Sequence, residues 1–70
     1  MKETKKCYTF RVMTIKGNII KEYPNEWLTE AQIDSMVIGM LMGVRCRLQY
    51  PYIEVYMVDG TSEQLVRVQK

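Results

Sequence analysis

Thr29 and Gln32, framed by Leu28 and Ile33, mark where a helix has to begin. A threonine hydroxyl at the cap accepts an orphan N–H from the first turn. A glutamine three residues on reaches back to the cap's own N–H. Leu28 and Ile33 then sit where a hydrophobic staple packs, and Glu30 places a carboxylate where the helix dipole favours one. Beyond this start, Ile33, Met36, Val37, Met40 and Leu41 recur at the spacing of one helical face. Gly43 reads as the left-handed stop. Gly39 costs about 1 kcal/mol against alanine inside a helix, so it is expected where a neighbouring backbone comes close. Ile38 and Met42 lie off the stripe and require cover, which a second copy packing helix on helix near Gly39 would provide.

The helix stands between two extended stretches. Cys7 to Ile15 alternates Tyr8, Phe10 and Val12 against Thr9 and Arg11, the period of a strand with one buried side. Gly17-Asn18 tolerates positive φ and is expected to close a hairpin that pairs Val12 with Tyr23, with a bulge near Met13. Pro24-Asn25 is expected to end that hairpin. After the helix, Ile53, Val55 and Met57 alternate with Tyr52, Glu54 and Tyr56, and Asp59-Gly60 signals a second tight turn. With a two-residue loop there, Val66 and Val68 join the core face. Leu65 and Arg67 then join Tyr52 and Tyr56 on the other. The expected fold is therefore α+β, ββαββ: a four-stranded antiparallel sheet from two hairpins, with one helix packed on one face.

Seventy residues give one domain, residues 1–70, with 1–6 expected as a flexible basic terminus. The apolar fraction of 47% and charged fraction of 26% place the chain among globular proteins rather than disordered ones. A net charge of +2 is too small to imply an anionic partner. Met1 to Lys6 has no apolar run after its charges, as a secretory signal would, and the helical apolar stretch is too short for a bilayer. The expected setting is cytoplasmic, without membrane attachment, with Cys7 and Cys46 reduced and semi-buried.

Much chemistry is missing. The chain has no histidine, hence neither the commonest general base near neutral pH nor an imidazole to activate a cysteine. Two cysteines alone do not make a zinc site, and the acidic residues form no calcium loop. No glycine cluster resembles a phosphate cradle. These residues point to a non-catalytic protein needing neither metal nor cofactor.

Binding is what remains. Tyr50, Tyr52 and Tyr56, with Leu65 and Arg67 from the facing strand, combine aromatic bodies with polar tips, as protein interfaces favour. Trp27, before the helix cap, serves either as a lid on the core or as an exposed anchor. The expected function is a small protein-binding accessory or inhibitor-like module of the kind phages and mobile elements encode. It would act through the aromatic and arginine sheet face as a homodimer with Ile38, Gly39 and Met42 at its interface. The alternative is a nucleic-acid-binding protein whose Arg45, Arg47, Lys5 and Lys6 meet phosphates while tyrosines stack on bases. A third reading is an oligomer that encloses a small ligand between subunits.

Overall fold

The computed structural model describes residues 4–70 and has the ββαββ architecture. Strands β1 (Lys6–Met13) and β2 (Ile19–Leu28) form the first hairpin. Helix α1 (Glu30–Arg45) follows, then β3 (Tyr52–Asp59) and β4 (Ser62–Gln69). All strand pairings are antiparallel, in the order β2-β1-β3-β4. β2 and β3 thus run parallel with β1 between them, and α1 makes the crossover, a split βαβ unit. The order follows from composition. Phe10, Val12, Ile53 and Val55, the most completely buried sheet residues, lie on the two central strands, while the polar-rich hairpin arms become edges.

The helix begins as expected. The Gln32 N–H donates to Thr29 Oγ1 at 3.4 Å, and the Thr29 N–H donates to Gln32 Oε1 at 2.8 Å. Ile33, Val37 and Leu41 turn inward against Tyr8, Phe10, Val12, Ile53 and Val55 to make one core, with Met36 and Met40 at its margin. Each fully buried leucine- or phenylalanine-sized side chain contributes about 1.5–3 kcal/mol. Gly43 does not stop the helix, which runs on to Arg45 and is capped at Cys46 in right-handed conformation. Arg45 in the last turn suits the dipole's negative end. The left-handed residue comes later, at Tyr50 (φ 51°), just before Pro51. No close neighbour explains Gly39: a methyl group there would meet nothing within 4 Å.

Both hairpins differ from expectation in register. The first loop has three residues, Ile15, Lys16 and Gly17, bracketed by the Thr14 N–H donating to the Asn18 carbonyl at 2.9 Å. Gly17 at φ 85° supplies the left-handed position. Phe10, not Val12, pairs with Tyr23, and Ile19 pairs with Met13 away from the helix. The bulge expected near Met13 lies between Val12 and Met13. Pro24-Asn25 forms a second bulge rather than an end, since β2 pairs on to Leu28 opposite Lys6. Asn25 takes φ 54° there. Lys6 therefore belongs to a strand, not to a flexible terminus, while Lys2 lies outside the described residues.

In the second hairpin Asp59 pairs with Ser62, and a bulge between Val55 and Tyr56 reverses the faces of β4 partway along. Leu65 opposes Tyr56, but Arg67 opposes Val55 and Val68 opposes Glu54. The expected positions of Arg67 and Val68 are thereby exchanged, because one extra residue flips every later side chain. Both cysteines are free thiols; Cys7 is buried, whereas Cys46 is exposed rather than semi-buried. Among the described residues, no helix is long and apolar enough to cross a membrane.

Candidate functional site on the uncovered sheet face

With α1 on one side, the other side of the sheet is a surface four residues deep along each central strand. Strand pairing sets its rows. Leu65, Tyr56 and Thr9 lie across one row; Val68, Glu54, Arg11 and Glu22 across the next; Tyr52, Met13 and Ile19 across the third. Trp27 stands on the β2 edge opposite Cys7.

Arg11 organises the centre. Its Nε donates to Glu22 Oε2 at 2.6 Å, and its Nη2 donates to Glu63 Oε2 at 3.1 Å. Its guanidinium carbon lies 4.5 Å from the centroid of the Tyr56 ring, within cation–π range. The Tyr56 hydroxyl donates to Glu54 Oε1 at 2.8 Å. The hydrogen bond to Glu22, with the charge of Glu63, raises the Arg11 pKa above its ordinary value despite burial. The Glu54 carboxylate, then burial, raises the Tyr56 phenol, with Arg11 pulling the other way. Thr9 is buried beneath this network, its hydroxyl accepting the Asn25 N–H at 3.4 Å.

Large apolar side chains surround the polar centre. Trp27 is 63% exposed, and Leu65 and Val68 are each 46% exposed. Trp27 is thus an exposed side chain, not a core lid. The expected binding set comes together in part: Tyr52, Tyr56, Leu65 and Trp27 share this face. Tyr50 is exposed in the connector before β3. Arg67 is on the helix side, where it donates to Asp34 Oδ1 and, at 2.9 Å, to Gln69 Oε1. Arg11 and Val68, which the sequence did not single out, take its place. The signal for Arg11 was its alternation with Phe10 and Val12 along β1, whereas that for Val68 was the parity of pairing, which the bulge at Val66 sets.

The basic residues do not converge. Lys6 lies with Glu30 and Asp34 at the start of α1, whereas Arg47 lies with Gly43 and Val44 near its end. Arg45 is in the last helical turn and Lys5 precedes β1. Ile38 and Met42 are exposed on the helix, and Gly39 faces a shallow groove toward Ile20 and Lys21. Among the described residues, no group of acidic, cysteine or histidine side chains is arranged to hold a metal. Comparisons of the chain with protein-family models, with curated proteins and with solved structures found no match.

Proposed function

We propose that the chain is a non-catalytic, accessory or inhibitor-like module that binds a protein partner through the uncovered sheet face. The observation that carries this reading is exposed Trp27, Leu65 and Val68 around a centre in which Arg11 is already held by Glu22 and Glu63. Arg11 keeps its carboxylate partners when covered, so no lone cation is stranded at the middle of the face. Its apolar margin supplies the area that drives association. Aromatic and arginine side chains are the residue types that dominate binding energy at protein interfaces. Glu22, Glu54 and Glu63 on the same face would repel a phosphate backbone, which favours protein over nucleic acid.

The test is affinity capture from the source cell, comparing the native chain with a Trp27→Ser/Leu65→Lys variant. A protein retained by the native chain and by Met42→Lys, but lost from the sheet-face variant, supports the reading. Equal retention by all three overturns it. A mobility-shift titration runs beside it. Micromolar oligonucleotide binding that weakens steeply with salt would transfer the function to nucleic acid, since each neutralised phosphate on B-DNA adds about −0.9 to the log–log slope.

A further inference from the structure

The sheet has two edges, and they differ in how they meet solvent. β2 carries Pro24, Lys21 and two bulges, one holding Asn25 at positive φ. Proline, lysine and bulges are devices that stop a strand from templating another. β4 is eight residues long, has no proline and only a single bulge, at Val66, and exposes Leu65, Val66 and Val68 by nearly half each. Among the described residues, no other strand faces its outward backbone groups.

We propose that β4 pairs antiparallel with β4 of a second copy of this chain across a twofold axis, joining two sheets into one of eight strands. The occupant follows from the strand's own self-complementarity. An axis between Val66 and Arg67 sets Leu65 against Val68, Gln64 against Gln69, and Glu63 against Lys70. Leu65 and Val68 both lie on the uncovered face, opposite Tyr56 and Glu54, so the pairing sets these two apolar side chains side by side on one face. Without the bulge at Val66 this alignment would oppose residues from different faces. With it, the bulges of the two copies fall together at the axis and the register holds on both flanks. Glu63 and Lys70 form one ion pair at each end of the joint strand pair. Neither end opposes like charges. Association also suits a chain with so small a core. It places the second copy on β4 rather than on the helix at Ile38, Gly39 and Met42, and it goes beyond the proposed partner binding.

The experiment measures mass in solution by light scattering across a concentration series, with circular dichroism to confirm that each variant is folded. The native chain is expected at twice the monomer mass. Lys70→Glu sets carboxylates against each other at both ends and is expected to raise the dissociation constant roughly tenfold. Met42→Lys is expected to leave association unchanged. A monomer at every concentration overturns the proposal. So does a dimer dispersed by Met42→Lys but indifferent to Lys70→Glu. These outcomes are read without any partner protein, so they are distinct from failure of the capture experiment.

Discussion

At the residue scale the molecule turns on Arg11, which sits where three carboxylates and a tyrosine ring converge. A single exposed ion pair contributes little, but a guanidinium shared between Glu22 and Glu63 and laid on Tyr56 forms a network whose members hold one another in place. Arg11→Met is expected to lower stability by about 1 kcal/mol, since Glu22, Glu54 and Glu63 are then left facing each other. Repeating the denaturant titration in molar salt should shrink that difference, because the loss is mainly charge repulsion. Tyr56 offers a second handle. Its folded pKa is raised, so the folded state holds the phenolic proton more tightly than the unfolded chain. That stability is fully present below the unfolded value near 10 and is lost as pH climbs through the folded pKa. Native protein should therefore decline in stability above pH 10 more steeply than Tyr56→Phe. An ultraviolet titration of the variant should lack the most alkaline tyrosine. Curves that coincide would mean that the Tyr56 phenol holds its proton no more tightly in the folded state.

At the scale of elements, the helix was the part most legible in the sequence. Its cap, staple and stripe depend only on residues within a few positions of one another, and each local preference agreed with the others. The sheet was legible in its strands and turns but not in its faces. A three-residue loop at Ile15 to Gly17, and bulges at Pro24-Asn25 and Val66, are set by how strands settle onto the core. Turn residues alone do not announce them. One such residue was enough to move Arg67 off the expected binding face and to put Val68 on it. Within the chain Gly39 borders open space rather than the close neighbour expected of it, since it faces the shallow groove toward Ile20 and Lys21. Two substitutions in α1 should therefore move stability in opposite directions. Thr29→Ala removes the acceptor of the capping box and is expected to cost about 1 kcal/mol. Gly39→Ala adds a methyl group into open space and removes glycine's backbone freedom, so it is expected to gain about 0.5–1 kcal/mol. Thermal melts of both variants decide this, and destabilisation by Gly39→Ala would mean that something packs on that groove in solution.

At the scale of the whole molecule, a single core between one helix and one side of a sheet must carry a chain whose total stability is of order 3.5–10 kcal/mol. Phe10 lies at its centre, fully buried on the central strand β1, between β2 and β3 and under the helix. Truncating such a phenylalanine typically costs about 3–5 kcal/mol, a large part of everything available. Phe10→Ala is accordingly expected to lose its cooperative thermal transition or to melt far below the native chain. Leu65→Ser, which removes an apolar side chain of similar class from the uncovered face, should stay within about 0.5 kcal/mol of native in the monomer. The contrast separates what holds the fold from what the fold displays. An uncovered face whose apolar residues can be exchanged without cost is not retained for folding, and it is available to select for contact with another protein. If Leu65→Ser proved as damaging as Phe10→Ala in dilute, monomeric protein, that side of the sheet would be part of the core.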